Sequence, residues 1–180
     1  MQLRLFILLC VTGIACTGAV AVGAGAHGKR AAAVPRIPAL PTQNEQVVGR
    51  CPIPARFRPA FERAARATGF QLSMLVAVAQ VESSFEPNAR SKADARGLLQ
   101  VLPSTAASLN LSADDPASNV LAGARYLRLL LDRYTRTDLA LAAYNAGPTA
   151  VDQAGGAPWP ETQTYVANVQ QRWAALAGCS

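Results

Sequence analysis

Past an N-terminal stretch, apolar positions recur at helical spacing through almost the whole chain. Phe57, Phe61, Ala64 and Ala65 mark a first amphipathic helix, with Gly69 placed to end it. Leu75, Val78, Ala79 and Glu82 stand at i, i+3, i+4 and i+7, so a second helix, Leu72 to Ser83, carries them on one face. A polar, small-residue loop follows from Pro87 to Gly97. The apolar run Leu98 to Leu102 offers one short extended segment, and Pro103 suits the first position of a helical turn through Ala107. The longest helix is predicted over Ala117 to Tyr134, with the stripe Val120, Ala124, Leu127, Leu131 and Tyr134. A helix over Asp138 to Tyr144 should stop at Asn145-Ala146-Gly147-Pro148, where glycine can turn left-handed and proline cannot continue. Thr149 to Ala154 reads as a short helix. Glu161 to Leu176 reads as the last, with Val166, Val169, Trp173 and Leu176 inward. The pattern contains no convincing strand, so the expected fold class is mainly α, with at most a minor extended segment.

The 180 residues suffice for one core and not for two full domains. Arg4, the apolar run Leu5 to Val11 and the small residues up to Ala26 read as a secretory signal, residues 1–26, with cleavage after Ala26 or Ala21. A retained membrane anchor over Leu5 to Ala26 and a lipidated Cys16 are the alternative readings. Residues 27–50, with Pro35, Pro38 and Pro41, read as a flexible spacer, and residues 51–180 as the folded domain. Export to an oxidising compartment, the periplasm, makes Cys51 and Cys179 a candidate disulfide; two free thiols are the alternative.

Charge narrows the function classes. The formal net charge is +6, carried mostly by scattered arginines. Neither finger spacing nor an aromatic RNP-like run accompanies it, so nucleic acid is not an expected partner, and an acidic polymer is the functional alternative to a merely basic surface. The chain has a single histidine, His27, in the leader region. Metal sites and nucleophiles activated by imidazole therefore lack their usual groups, and no cofactor is expected.

Glu82 is the anomaly in the pattern. It prolongs an apolar stripe, and a carboxyl withdrawn from water tends to keep its proton. Such an acid can protonate a glycosidic oxygen near neutral pH. The bland alternative is a last-turn glutamate bent out to solvent.

The residues around it carry a resemblance. Glu82-Ser83-Ser84-Phe85-Glu86-Pro87-Asn88-Ala89-Arg90-Ser91 is followed by Gly97-Leu98-Leu99-Gln100-Val101-Leu102-Pro103-Ser104-Thr105-Ala106. Then come Ala143-Tyr144-Asn145-Ala146-Gly147-Pro148 and Glu161-Thr162 with Tyr165-Val166. In order and spacing these resemble the catalytic domain of the soluble lytic transglycosylases, in the goose-lysozyme-like superfamily, over residues 57–176. The resemblance implies a lysozyme-like (goose-type) helical fold and cleavage of the MurNAc–GlcNAc β-1,4 bond of peptidoglycan. Glu82 would act first as acid and then as base on the MurNAc 6-hydroxyl, giving a 1,6-anhydro end. It also implies that Ser91, Gln100, Tyr144, Asn145 and Glu161 bind substrate, with the Tyr144 hydroxyl near the catalytic carboxylate.

Bland alternatives remain for these positions: a turn cap at Ser91, a surface amide at Gln100, a helix stop at Asn145. Tyr165 is read as a core aromatic. Leu99 stands where Met is usual, and Asp94 where Gly is frequent; aspartate tolerates a positive φ better than most residues. The alternatives for function are a goose-type lysozyme or chitinase hydrolase, and a noncatalytic wall-binding module of a secretion apparatus. The expected partners are glycan strands, met as a monomer, and a secretion or conjugation complex of the cell envelope.

Overall fold

A computed structural model describes residues 49–180; the expected signal, the Cys16 lipidation site and most of the spacer lie outside them. Seven α-helices follow in chain order: α1 Arg58–Thr68, α2 Leu72–Glu82, α3 Pro103–Ser108, α4 Pro116–Tyr134, α5 Thr137–Ala146, α6 Pro148–Ala154 and α7 Pro160–Ala175. Helix α4 packs on α1 and α5, and α7 on α2 and α5. No described helix is long and apolar enough to cross a membrane.

Proline and glycine punctuate the elements as the sequence implies. Pro103, Pro116, Pro148 and Pro160 each occupy a first helical position, where the missing N–H has no intrahelical partner to lose. Helices α4, α6 and α7 consequently begin one residue earlier than the apolar stripes suggest. Asp115 caps α4 by accepting from the Ser118 N–H at 2.8 Å. Gly69 closes α1 at φ 71°, its N–H bonded to the Ala65 carbonyl.

Three expectations need correction. Helix α2 has no single apolar face: Ser73 to Ala79 are all buried. It is a core helix covered on every side, and such a helix leaves no polar face for periodicity to reveal. The extended run Leu98 to Leu102 reduces to a bridge at Val101, whose N–H and C=O pair with Arg96 at 2.9 and 3.0 Å; Leu98 to Gln100 form turns. Gly147 has a positive φ, 84°, but with ψ 147° it is not left-handed helical. This is a region open almost only to glycine, and it lets one residue end α5 and start α6.

The core runs from Phe61 and Ala64 on α1 through α2 to Val120, Leu127, Leu141 and Val169. Inside it, Asn119 is fully buried and fully bonded. Its Nδ2 donates to the carbonyls of Arg96 and Ala113, and its Oδ1 accepts from the Leu99 N–H. One side chain thereby supplies the hydrogen bonds that the buried part of the 96–99 turn cannot obtain from a sheet. Two glycines permit this fit. A Cβ on Gly97, which has φ 72°, would lie 2.8 Å from the Asn119 amide. One on Gly123 would lie 2.6 Å from Leu99 and 2.8 Å from the Tyr144 hydroxyl.

The ends of the described chain are tied together. Cys51 and Cys179 form a disulfide, as expected, with Cα atoms 4.8 Å apart. Beside it the Cys51 N–H donates to the Ser180 carbonyl, and the Ser180 N–H to that of Gly49.

Candidate active site

Glu82 is the last residue of α2. The chain turns away from it through Ser84 and Phe85, both at positive φ, 50° and 65°. For a phenylalanine this is costly, and such strain persists only where packing enforces it. Here the Phe85 ring meets that of Phe61 edge-on at 5.7 Å, and the Ser83 Oγ donates to the Leu98 carbonyl at 2.9 Å. The turn leaves the Glu82 carboxyl largely withdrawn from water but facing a cavity of about 230 Å³. Burial pushes its pKa from the ordinary 4.5 up to about 7; a hydrogen bond from Tyr165 pulls the other way.

The cavity brings together most of the expected residues. Ser91, Gln100, Tyr144 and Asn145 line it with Glu82, along with Leu102 and two alanines of the loop. A second hollow of about 210 Å³ shares Gln100, Leu102, Tyr144 and Asn145 and continues past Tyr126 to Gly147, so the two form one groove. Glu161 is not in it. It lines a separate depression with Val81, Pro160, Thr164, Tyr165 and Asn168.

Each lining side chain has its chemistry fixed by what it already bonds. The Ser91 Oγ accepts from the N–H groups of Ala93 and Ala95 at 3.2 and 3.0 Å, so it caps its own turn and retains its O–H for a ligand. Gln100, at φ 44°, donates both amide hydrogens to the carbonyls of Ala89 and Gly97, leaving its carbonyl oxygen as the free acceptor. The Asn145 Oδ1 accepts from the buried Thr162 hydroxyl at 3.0 Å, which leaves the Asn145 NH₂ free. The loop carrying Ser91 is laced at the surface by Arg90 and Arg96, each bridging Asp94 and Asp114. Asp94 has φ 61°, the positive value that its place in a glycine-favouring position allows. The hydrogen bond from Arg96 holds its carboxyl below the usual range.

Tyr144 lines the cavity with Glu82, but the hydrogen bond to the carboxyl comes from the other tyrosine. The Tyr144 hydroxyl donates to the Leu99 carbonyl at 2.7 Å. It is Tyr165, buried as a core residue should be, whose hydroxyl donates to the Glu82 Oε1 at 2.7 Å. Burial first, and then the nearby Glu82 charge, raises both phenols well above their ordinary pKa, so both remain donors at any physiological pH. Tyr165 was the residue that sequence reasoning left in the core, and Thr162 and Asn119 were not singled out. The signal for Asn119 was its place on the buried face of α4, with Ala122 and Gly123; Tyr165 and Glu82 are 83 positions apart and share no local pattern.

The fold and groove define a lysozyme-like helical domain with one proton-retaining carboxylic acid beside a polar cavity. Comparison with known proteins gives the family. The profile described as transglycosylase SLT domain matches residues 59–163, and the chain belongs to that family. The transglycosylase of Enterobacteria phage PRD1 is 36% identical over 108 residues, covering 59% of this chain and 39% of the phage protein. Membrane-bound lytic murein transglycosylase F of Desulfosudis oleivorans is 39% identical over 100 residues, 51% of this chain and 22% of that protein. The crystal structure of the 70-kDa soluble lytic transglycosylase of Escherichia coli superposes with TM-score 0.60 at 27% identity, over 67% of this chain and 24% of that one. The chain thus spans well under half the length of each.

Proposed function

We propose that this chain is an exported peptidoglycan lytic transglycosylase that cleaves the MurNAc–GlcNAc β-1,4 bond without consuming water, with Glu82 as its acid and base. The observation that carries the proposal is the Glu82 carboxyl. It is held near pKa 7 by burial, hydrogen-bonded by Tyr165, and the one acid among the described residues lining the cavity. Ordinary glycosidases place a second carboxylate across the bond to activate water or attack the sugar. An enzyme in which the substrate's own hydroxyl attacks needs none.

The steps balance on one carboxyl. Protonated Glu82 gives its proton to the bridging oxygen as the bond from MurNAc C1 to that oxygen breaks, releasing the GlcNAc hydroxyl. The resulting carboxylate takes the proton of the MurNAc 6-hydroxyl as that oxygen bonds to C1. Glu82 ends protonated and the new MurNAc end is 1,6-anhydro. In this reading the free O–H of Ser91 and NH₂ of Asn145 serve acceptors of the sugar, and the Gln100 carbonyl serves a donor. The Tyr165 bond stabilises the carboxylate between the two transfers. A place beside a secretion or conjugation apparatus belongs to the same proposal, resting on the small size of the chain and the export signal expected of its sequence.

Mass spectrometry of muropeptides released from purified sacculi tests it. The expected fragments are lighter by one water than hydrolysis products. Products with one reducing end per cleavage would overturn the transglycosylase reading in favour of a hydrolase.

A further inference from the structure

Among the described residues three large apolar side chains are exposed: Leu102, Leu129 and Trp159. Leu102 lines both parts of the groove. Trp159, half exposed at 50%, stands at the N-cap of α7. Its indole makes no capping hydrogen bond, and its backbone carbonyl alone serves the helix, accepting from the Gln163 N–H. Trp173, by contrast, donates its indole N–H to Gln71 and packs on the core.

The position is built for rigidity. Pro158 and Pro160 flank Trp159, which takes the extended backbone, φ −130° and ψ 156°, that a following proline favours. An aromatic held this way loses little conformational freedom when something covers it. The helix that starts directly after it, at Pro160, carries residues that reach the site: Thr162 holds Asn145, and Glu161 lines the depression of about 420 Å³ with Pro160, Thr164 and Asn168. Tyr165, in the second turn of the same helix, carries the bond to Glu82.

We propose that Trp159 is a stacking platform for a pyranose of the bound glycan, at a subsite beyond the acid's cavity that it forms with Glu161. The inference rests on the glycan-cleaving function proposed above. A β-1,4-linked N-acetylated pyranose carries its substituents equatorially, so its faces are axial C–H surfaces and its rim is polar. The indole face covers the C–H face, removing apolar surface from water on both partners and setting the slightly positive C–H groups on the negative ring face. Glu161 beside it accepts from the rim hydroxyl or amide groups.

The test uses the full chain carrying Glu82→Gln, which binds without cleaving, and a soluble uncrosslinked strand of alternating GlcNAc and MurNAc, titrated by calorimetry. Trp159→Ala should weaken the strand's Kd by about tenfold. Trp159→Phe and Trp159→Tyr should restore affinity to within about threefold, and Trp159→Leu should not, because it is apolar but has no ring face. With Glu82 present, Trp159→Ala should still form anhydro ends, its loss falling on KM more than on kcat. Unchanged affinity in Trp159→Ala, or rescue by leucine, overturns the platform while leaving the proposed function standing. A parent protein that neither binds the strand nor cleaves sacculi overturns both.

Discussion

Replacing Glu82 with glutamine should make the protein more stable as it makes it inactive, and only above a definite pH. In the unfolded chain the carboxyl ionises near its ordinary 4.5; in the folded protein it holds its proton up to about 7. Between these values the native state binds more protons than the unfolded one, so stability falls as pH rises through the window. Below 4.5 both states are protonated and nothing is lost; above 7 the full cost is present. The displacement from 4.5 to about 7 corresponds to about 3 kcal/mol. That figure is an upper one, because the carboxyl borders the water of the cavity. Glutamine nearly matches glutamate in shape, carries no charge, and its carbonyl oxygen can still accept from Tyr165. Thermal unfolding followed by circular dichroism, disulfide intact, reads the effect directly. The variant should melt roughly 5–10 °C above the parent near pH 8 and together with it near pH 4. Turnover of sacculi should fall by several powers of ten, on the order of the loss of a general acid together with its base step. Equal melting temperatures at both pH values would refute the buried-acid argument, whatever happened to activity.

The same geometry sets the remaining expectations. Tyr165→Phe removes the hydrogen bond that lowers the Glu82 pKa, so the alkaline limb of kcat/KM, expected near pH 7 in the parent, should move upward in pH; a pH–rate profile that stays in place or moves down would show that the bond does not tune the acid. Cys51→Ser with Cys179→Ser opens a loop of 128 residues, which the chain-entropy account values at about 5 kcal/mol. Denaturant unfolding should show a large part of that loss, while cleavage of sacculi at a temperature where the variant is folded should be retained, since neither cysteine lines the groove.

What the sequence made legible divides by range. Helix ends were readable where proline and glycine act on their own backbone: Pro103 starts a helix and Gly69 stops one through steric rules that need no neighbour, whereas the apolar stripes placed the starts of α4 and α7 one residue after Pro116 and Pro160. The second helix was readable as a helix but not as a central one. Periodicity reports a difference between faces, and α2, buried from Ser73 to Ala79, has none in its middle. The stripe that led to Glu82 was therefore one selection among several apolar rows. The glutamate was conspicuous because it is the one charged residue of that helix. The long-range pairings were not legible from spacing at all. Tyr165 meets Glu82 across 83 residues and Tyr144 meets the Leu99 carbonyl across 45. Which of two tyrosines reaches the acid depends on how α5 and α7 pack, and the motif residues around each are equally compatible with either.

The packing around Leu99 explains why the Tyr144 hydroxyl lies where it does. Gly123 lets the side chain of Leu99 lie against α4 at a distance no Cβ would allow, and the Tyr144 hydroxyl occupies the same opening. Asn119, one turn earlier on α4, holds the Leu99 N–H from the other side while its amide holds the Arg96 carbonyl. The turn that presents Gln100 is therefore held at Leu99 by three groups, two from α4 and one from α5, with no strand ladder to support it. With both Gln100 amide hydrogens bound to backbone carbonyls, the side chain that lines the groove is fixed in one arrangement and has its carbonyl oxygen left as acceptor. Such bracing matters because a positioned contact contributes to catalysis only in so far as its geometry is fixed before substrate arrives. The apolar core supplies the folding energy. A few buried polar atoms, each satisfied, determine where the groove's hydrogen-bonding groups stand relative to the Glu82 carboxyl, whose pKa burial raises to about 7.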